Sequence, residues 1–376
     1  MTGLALYIHW PFCVSKCPYC DFNSHVRDSV DQDAWRAALL TDMAHEASLT
    51  AGTSLTSIFF GGGTPSLMPP ATVAALIDAA ERHWGFAEDI EITLEANPSS
   101  VETARFADLA KAGINRVSLG LQSLDDQALA FLGRAHDVHE GLAALDIAQK
   151  VFARTSFDLI YALPGQSTEA WQTQLERALS FGTGHLSLYQ LTIEPGTRFA
   201  TLAARGELGE AEPDHGAQLY DVTQAISEAA GLPAYEISNH ARPGEESRHN
   251  LTYWRYHSYA GIGPGAHGRR GDFATTRHKK PENWLSAIDR NGHGLQSEDR
   301  LSAYDQGAEM LMMGLRLIEG VPRDRLPGSL LDNDAIKRLT AHGLLHPDSN
   351  RLVATPQGLL VLNSLLAEIV ADEAAL

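Results

Sequence analysis

The segment Tyr7-Ile-His-Trp-Pro-Phe-Cys-Val-Ser-Lys-Cys-Pro-Tyr-Cys20 contains all three cysteines of this 376-residue chain. Cys13, Cys17 and Cys20 follow the spacing Cys-x3-Cys-x2-Cys. Thiols gathered in this way are typical of metal ligands, and three thiolates are one fewer than the four that usually hold a [4Fe–4S] cluster. We therefore predict such a cluster with one iron open to a further ligand, and we expect the chemistry of the protein at that iron.

Two other interpretations of the three cysteines remain open. A disulfide with one free thiol would suit a secreted chain, but residues 1–6 lack the basic region and the long apolar region of a signal peptide. A zinc site would combine the thiolates with His9 or His25, although structural zinc sites usually draw on two separated pairs of ligands.

The composition is that of a globular protein, with 44% hydrophobic and 20% charged residues. A net charge of −18 without a Lys/Arg-rich run argues against a nucleic-acid partner. The sequence has no uninterrupted apolar run of about 18 residues, which argues against a membrane span. The use of thiols as ligands indicates a reducing compartment, so we expect a cytoplasmic location.

The first half of the chain alternates short apolar runs with longer helical patterns. This alternation predicts a parallel α/β sheet, either open or closed partway into a (β/α)6 barrel. The predicted strands are 4–9, 55–60, 90–95, 116–120, 155–162 and 185–192, and the predicted helices are 31–50, 70–84, 102–112, 125–150 and 168–181. Ligands of such folds lie at the carboxyl ends of the strands, so one cleft is expected there.

The second half is less regular. It contains the motif His249-Asn-Leu-Thr-Tyr-Trp254 and the stretch Gly261-Ile-Gly-Pro-Gly-Ala-His-Gly268. After residue 300 the pattern is mostly helical, with a short segment at 351–355 that suggests a winged-helix-like unit. We predict three parts: a partial barrel in 1–200, an extension of the barrel in 201–300, and a small helical or winged-helix-like domain in 301–376.

Polar groups are expected around the cleft. Gly61-Gly-Gly-Thr-Pro65 follows a predicted strand, where glycines permit close approach of the backbone to a ligand and exposed amides can bind its oxygens. It lacks the Gly-Lys-Ser/Thr ending of a phosphate-binding loop. Glu95, Gln122, Arg134 and Asp158 lie at or near strand ends. A glycine-rich stretch alone is more often a plain turn, and each polar residue alone is more often a solvated or locally satisfied side chain. Together they suit a polar ligand with an amine, a carboxylate and a ribose.

The chain resembles the radical S-adenosylmethionine (SAM) superfamily. In that superfamily, the cluster iron without a cysteine ligand chelates the amino and carboxylate groups of SAM. It looks like the branch that contains oxygen-independent coproporphyrinogen III dehydrogenase and the HemW-type haem chaperones of porphyrin metabolism. The similarity spans nearly the whole chain and rests on Tyr-Ile-His-x-Pro-Phe-Cys, Gly-Gly-Gly-Thr-Pro, Glu-Ala-Asn-Pro, Gly-Leu-Gln-Ser, Asp-Leu-Ile-Tyr-x-Leu-Pro-Gly-Gln at 158–166, and His-Asn-x-x-Tyr-Trp.

The resemblance implies that Cys13, Cys17 and Cys20 ligate the [4Fe–4S] cluster, and that one electron from it cleaves SAM to methionine and a 5′-deoxyadenosyl radical. It also implies a set of residues that contact SAM. They are Tyr7, Phe22, Gly62, Gly63, Thr64, Glu95, Gln122, Arg134 and Asp158, with Phe22 near the adenine or the cluster.

Three features favour the chaperone over the dehydrogenase. Position 22 is Phe, where the dehydrogenase has a further cysteine; the first strand begins at about residue 4, leaving no room for the extended N-terminal segment of the dehydrogenase; and residues 249–254 match the chaperone motif in full. The resemblance therefore implies delivery of haem to acceptor proteins of the respiratory chain. The alternative is conversion of coproporphyrinogen III to protoporphyrinogen IX by radical chemistry.

His249 is the first candidate haem ligand, because neutral imidazole commonly binds haem iron and Tyr253 and Trp254 would stack on the porphyrin. The competing interpretation is a histidine that caps a turn, with both aromatics in the core. His267 is a second candidate. The resemblance also implies an electron donor such as a flavodoxin or ferredoxin, and peripheral contact with a membrane.

Overall fold

The chain is built around one large mixed sheet, which a computed structural model describes for residues 3–27, 29–348 and 350–371. The strands are β1 (Leu4–Trp10), β2 (Phe12–Cys13), β3 (His25–Val26), β4 (Leu55–Gly62), β5 (Phe86–Ala96), β6 (Arg116–Gln122), β7 (Arg154–Tyr161), β8 (His185–Gln190), β9 (Asn239–Ala241), β10 (Tyr259–Ile262), β11 (His267–Arg270), β12 (Phe273–Arg277), β13 (Leu295–Arg300), β14 (Val321–Pro322) and β15 (Arg351–Leu352).

Helices cover one face of this sheet and form most of the C-terminal region. They are α1 (Gln32–Leu49), α2 (Pro70–Trp84), α3 (Ser100–Thr103), α4 (Phe106–Lys111), α5 (Asp126–Phe131), α6 (Val138–Val151), α7 (Thr168–Leu179), α8 (Arg198–Ala204), α9 (Pro213–Ala229), α10 (Arg248–Trp254), α11 (Pro281–Asn291), α12 (Ala303–Gly314), α13 (Asn333–Ala341), α14 (Pro356–Leu360) and α15 (Leu362–Ile369). Within the described ranges, no helix is both long enough and apolar enough to span a membrane.

The strand order in the main sheet is β13-β12-β11-β10-β1-β4-β5-β6-β7-β8-β9. The stretch from β10 to β8 is parallel throughout, while β9 and the strands β11 to β13 add antiparallel edges. The six predicted strands are all present, as β1 and β4 to β8. Helical crossovers join them, which confirms the predicted α/β class and the partial barrel.

The two faces of the parallel strands differ in chemistry, because successive side chains of a strand point to opposite faces. Apolar side chains such as Ile58, Leu94 and Phe157 point outward and belong to one large hydrophobic core beneath the helices. The intervening positions point to the concave face and are largely polar, for example Ser118 and Asp158, which are hydrogen-bonded to each other. The sheet therefore presents a polar concave surface whose carboxyl-terminal edge carries the candidate site.

The predicted helix at 125–150 is wrong, because the structure has two helices there, α5 and α6. Gly133 adopts a φ of 67°, which favours glycine and ends the first helix. Asp137 then starts the second helix through a capping box with Glu140. The six residues between the helices, 132–137, form a loop that carries Arg134. The predicted helix at 102–112 is likewise divided, into α3 and α4.

The second half extends the sheet at both edges. β9 pairs with β8, and β10 lies parallel to β1, followed by β11 to β13. Helix α10, which contains the motif at 249–254, packs against β4. The predicted boundaries near residues 200 and 300 stay predictions.

The C-terminal region has its own hydrophobic core, formed by α12 to α15 with the β14–β15 pair. It is mostly helical, as predicted, and the predicted short segment at 351–355 contains β15 and the cap Thr355 of α14. A contact joins this core to the sheet, since Glu309 of α12 accepts hydrogen bonds from Tyr256 and from Arg269 of β11.

Candidate functional site

The three cysteines lie in one loop that follows β1, and all three are partly buried. Thr64 donates a hydrogen bond to the Sγ of Cys13 at 3.5 Å, and Arg134 donates one to the Sγ of Cys17 at 3.3 Å. Burial raises the pKa of the Cys13 and Cys20 thiols, and each is raised further by the neighbouring cysteines. The loop therefore holds three thiols that influence one another, and two of them accept hydrogen bonds, from Thr64 and from Arg134.

This donor set fits an iron–sulfur cluster. Thiolates are the usual ligands of such clusters, and hydrogen bonds to sulfur tune their reduction potential. Among the residues that the structure describes, no three His, Cys, Asp or Glu side chains converge closely enough to enclose a single metal ion.

In the loop that ends β4, the backbone packs too closely against its neighbours for side chains at Gly62 and Gly63. Gly62 has a φ of 111°, and a Cβ there would lie 2.6 Å from the ring of His9. A Cβ on Gly63 would lie 2.6 Å from the carbonyl oxygen of Phe12. Neither position can carry a side chain without displacing the strand or the cysteine loop beside it.

The amides of this loop all donate hydrogen bonds within the protein, and their binding of ligand oxygens stays a prediction. The N–H of Gly63 donates to Trp10 at 2.7 Å, and that of Thr64 donates to Phe12 at 2.8 Å. The N–H of Gly62 donates to the carboxylate of Glu95 at 3.2 Å. The loop instead fastens the start of the cysteine loop to β4.

Two carboxyl groups lie close together on the concave face, Glu95 at the end of β5 and Asp158 within β7. Burial and the charge of Asp158 raise the pKa of Glu95 to about 8. Burial raises the pKa of Asp158 to about 6, against the opposing effect of hydrogen bonds from Ser187 and Ser118. Because burial disfavours the ionised form of both carboxyl groups, and Asp158 adds to this effect at Glu95, a bound cation would stabilise their ionised forms.

Arg134 joins three segments around this acidic pair. Its Nη2 donates to the Oδ1 of Asn97 at 2.6 Å and to the carbonyl of Gly120 at 2.8 Å, while its Nη1 reaches Cys17. Its Nε is buried without a hydrogen-bond partner. One guanidinium group therefore links the ends of β5 and β6 to the cysteine loop and retains one free donor.

Gln122 ends β6 in a left-handed conformation, with a φ of 69°. Such a conformation is costly for a residue with a side chain and is concentrated at functional sites. Asn97 was not predicted as a site residue, although it lies within the quoted Glu-Ala-Asn-Pro motif. Its Nδ2 donates to Thr64 and its Oδ1 accepts from Arg134, so it connects both groups that contact the cysteine sulfurs.

A second unpredicted connection runs through His9. The Nε2 of His9 lies 2.9 Å from the carbonyl oxygen of Asn23, which can only accept, so this nitrogen carries the proton. The Nδ1 therefore accepts from the hydroxyl of Tyr7 at 2.9 Å. Burial lowers the pKa of His9 to about 4, which keeps the ring neutral. Because both ring nitrogens are occupied, His9 does not fit the zinc interpretation.

Phe22 lies on the surface of the cysteine loop with 55% of its area exposed. Its neighbours in the loop, Val14 and Val26, are exposed at 74% and 47%. The structure thus brings Tyr7, Glu95, Arg134 and Asp158 to the concave face and its rim, whereas Phe22 faces solvent.

His249 as a haem ligand stays a prediction, and in this structure both of its ring nitrogens are hydrogen-bonded. Its Nδ1 lies 3.0 Å from the hydroxyl of Ser57, its Nε2 lies 2.6 Å from the hydroxyl of Tyr253, and only 1% of the residue is exposed. Its ring also stacks on Phe59. In this conformation neither nitrogen is available to iron, and the histidine is a buried, fully bonded part of the concave wall.

Comparison with known proteins agrees with this geometry. The Radical SAM superfamily model matches residues 7–177, and the HemN C-terminal domain model matches residues 301–361. The mouse protein "Radical S-adenosyl methionine domain-containing protein 1, mitochondrial" is 40% identical over 98% of this chain and 88% of its own length.

Two bacterial proteins extend the comparison. The solved structure of Escherichia coli coproporphyrinogen III oxidase (HemN) has a TM-score of 0.82 at 23% identity, over 97% of this chain and 89% of that one, and so shares the fold. "Heme chaperone HemW" of Escherichia coli is 38% identical over 99% of both chains. The chain therefore belongs to the radical SAM superfamily and, within it, to the family of the haem chaperone HemW.

Proposed function

We propose that this protein is a haem chaperone that binds haem and delivers it to acceptor proteins of the respiratory chain. The observation that carries the proposal is the 38% identity to a protein named heme chaperone over 99% of both lengths. Coverage of this extent leaves no large part of the relative unmatched, so the resemblance concerns the whole protein and not one shared domain.

The proposed cofactors are a [4Fe–4S] cluster on Cys13, Cys17 and Cys20, and SAM on the concave face. The cluster, when bound, supplies a single electron and an open iron site. The hydrogen bonds that Thr64 and Arg134 donate to the sulfurs support this assignment, because they would offset the negative charge of a thiolate-bound cluster.

The acidic pair supports a place for SAM beside the cysteine loop. SAM carries an ammonium and a sulfonium group, and the ionised forms of Glu95 and Asp158 would be stabilised by these cations. The free Nε of Arg134 would donate to an oxygen of the ligand. In this proposal Tyr7 and His9 orient the cysteine loop through Asn23, and Gln122 lines the same edge.

Further parts of the proposal follow the family. They are the division of the chain at about residues 200 and 300, a cytoplasmic location, an electron donor such as a flavodoxin or ferredoxin, and contact with the membrane surface. The alternative activity, conversion of coproporphyrinogen III to protoporphyrinogen IX, has the fold likeness to HemN as its support, and 23% identity carries the fold alone.

The test is haem retention by anaerobically reconstituted protein, measured after gel filtration as the ratio of the Soret absorbance to the cluster absorbance. A chaperone retains haem in stoichiometric amount and forms no vinyl-bearing product from coproporphyrinogen III. Loss of all haem on the column, together with turnover of coproporphyrinogen III, would replace the proposal with the dehydrogenase. The triple variant Cys13→Ala/Cys17→Ala/Cys20→Ala is the control, and it should lack the iron and sulfide of the cluster.

A further inference from the structure

A positively charged surface lies where the cysteine loop meets the glycine-rich turn at residues 263–266. We call this surface the basic junction and define it by Lys16, Arg27, His267, Lys279 and Lys280, all of which are exposed. Burial and the charges of Arg27 and Lys16 lower the pKa of His25, and burial and the charge of Lys279 lower the pKa of His267. Asn23 joins the two groups, since its side chain contacts the ring of His25 and the carbonyl of Lys279. Among the described residues, the acidic neighbours include Asp21 and Glu282, the latter paired with Arg27; Asp28, which follows Arg27 in the chain, lies outside the described residues. In a chain of net charge −18, a surface with this excess of cations is unusual.

The basic junction has a rigid base. The Nδ2 of Asn23 donates to the carbonyl of Pro264 and to that of Lys279, each at 2.9 Å. A Cβ on Gly265 would lie 2.4 Å from the same Nδ2, so the turn and the loop are in direct contact. One side chain therefore fastens together the cysteine loop, the turn before β11 and the end of β12.

His267 begins β11 at this surface, with an exposed side chain. Partial burial and the charge of Lys279 lower its pKa, and no hydrogen bond to its ring is found among the described residues. A neutral imidazole with a free nitrogen is the form that binds metal ions. His9 and His249, by contrast, have both ring nitrogens in hydrogen bonds.

Apolar side chains complete the surface. Phe22 is adjacent to Asn23 in the chain and is 55% exposed, and Val26 of β3 is 47% exposed. These two exposed side chains offer apolar area close to the cations of the basic junction. A ligand for this surface would combine an apolar plane, two or more carboxylates and a metal that accepts imidazole.

Haem has all three of these properties. We propose that haem binds at the basic junction, with His267 on its iron, Lys279 and Lys280 on its propionates, and Phe22 against the macrocycle. The inference rests on the proposed chaperone function and adds to it the place and the ligand. It puts haem on the outer rim, next to the loop that bears the cysteines, and leaves the concave face free for SAM.

The substitutions that test this site remove side chains and spare the backbone that builds it. The ring of His267 makes no hydrogen bond among the described residues, and Asn23 contacts the carbonyl of Lys279 and not its amine. His267→Ala and Lys279→Gln/Lys280→Gln should therefore fold, as checked by circular dichroism and cluster content. The matched controls are His342→Ala in the exposed C-terminal region and Lys111→Gln/Lys150→Gln on exposed helix ends.

The experiment is titration of each variant with haem, followed in the Soret band. His267→Ala should shift the Soret band and weaken haem binding at least about tenfold, as expected for disturbing a metal site, and added imidazole should restore the spectrum. The double lysine variant should weaken binding without shifting the band. If both variants match the wild type, the site is wrong while the proposed function stands. If the wild type itself binds no haem, the proposed function fails and the site fails with it.

Discussion

Arg134 donates a hydrogen bond to the sulfur of Cys17 at 3.3 Å, across a separation of 117 residues. The contact exists because α5 ends at Phe131 and the chain turns at Gly133 toward the cysteine loop before α6 begins. A Cβ on Gly133 would lie 2.6 Å from the ring of Pro18. The loop between α5 and α6 therefore packs directly against the cysteine loop, and this contact brings the guanidinium of Arg134 to the sulfur of Cys17.

Replacing Arg134 by Lys should loosen the cluster. A single ammonium cannot reach Asn97, Gly120 and Cys17 together, as the planar guanidinium does. Hydrogen bonds to charged partners are worth about 1.5–3 kcal/mol each, so retention of the cluster should fall about 10–100-fold. Iron and sulfide analysis after gel filtration measures this. Arg36→Lys, on the exposed face of α1, is the control, and equal cluster content in both variants would contradict the role of Arg134.

Binding of SAM should strengthen as the pH rises from about 6 to about 8. Glu95 has a pKa of about 8 and is therefore mostly protonated in the ligand-free protein at neutral pH, whereas Asp158, with a pKa of about 6, gains its proton only toward the acid end of this range. A cationic ligand favours their ionised forms, and binding should therefore release protons. Calorimetric titration in buffers of different ionisation enthalpy measures that release. Glu95→Gln should lose most of the pH dependence, whereas Glu207→Gln on the surface should retain it.

Glu95 should also make the ligand-free protein less stable as the pH rises. Its pKa is raised from 4.5 in the unfolded chain to about 8 in the folded protein. The folded state therefore binds more protons above pH 4.5, and the free energy of unfolding falls until the pH exceeds 8. Glu95→Gln should flatten this decline in urea unfolding curves. A wild-type stability that rises between pH 5 and pH 8 in parallel with that of the variant would contradict the assignment.

Gly62→Ala should destabilise the protein and impair the cysteine loop together. The added methyl group would lie 2.6 Å from the ring of His9, in a backbone conformation with a φ of 111°. We expect a loss of about 1–3 kcal/mol in unfolding free energy, with weaker cluster retention. Gly182→Ala is the control, because its φ is 73° and no atom lies within 4 Å of its added methyl. The control should show the loss from backbone strain and keep its cluster.

Tyr253→Phe should lower stability without changing haem binding. It removes the hydrogen bond at 2.6 Å to His249 and leaves a buried ring nitrogen without a partner, which costs about 1–3 kcal/mol. Urea unfolding measures this loss, and the Soret titration should match that of the wild type. A weakened or shifted Soret band in Tyr253→Phe would instead support His249 as the haem ligand.

His249 should in addition contribute to acid unfolding. Burial lowers its pKa from 6.5 in the unfolded chain to about 3 in the folded protein. The unfolded state therefore binds more protons between these values, so the free energy of unfolding falls as the pH drops below 6.5. His249→Phe should show a shallower decline over this range, measured by urea unfolding at pH 4 to pH 7. An identical slope in both proteins would mean that other buried histidines account for the effect.

Much of the sheet could be predicted from the sequence because apolar periodicity is a local property. All six predicted strands are present, and β1, β4, β5 and β6 extend beyond their predicted carboxyl ends by one or two residues. The sequence could not reveal which polar groups long-range contacts would occupy. In the structure the amides of Gly63 and Thr64 donate to the carbonyls of Trp10 and Phe12.

The sequence by itself determined the class of this protein. Three cysteines in eight residues limit the ligand chemistry, and the alternation of strands and helices limits the fold, since both depend on neighbours in the chain. Only the tertiary structure decided which polar groups remain available for function. Hydrogen bonds occupy both nitrogens of the buried His249, whereas His267, the exposed first residue of β11, makes no side-chain hydrogen bond among the described residues. Availability depends on what surrounds a side chain in space, and these surroundings come from distant parts of the chain.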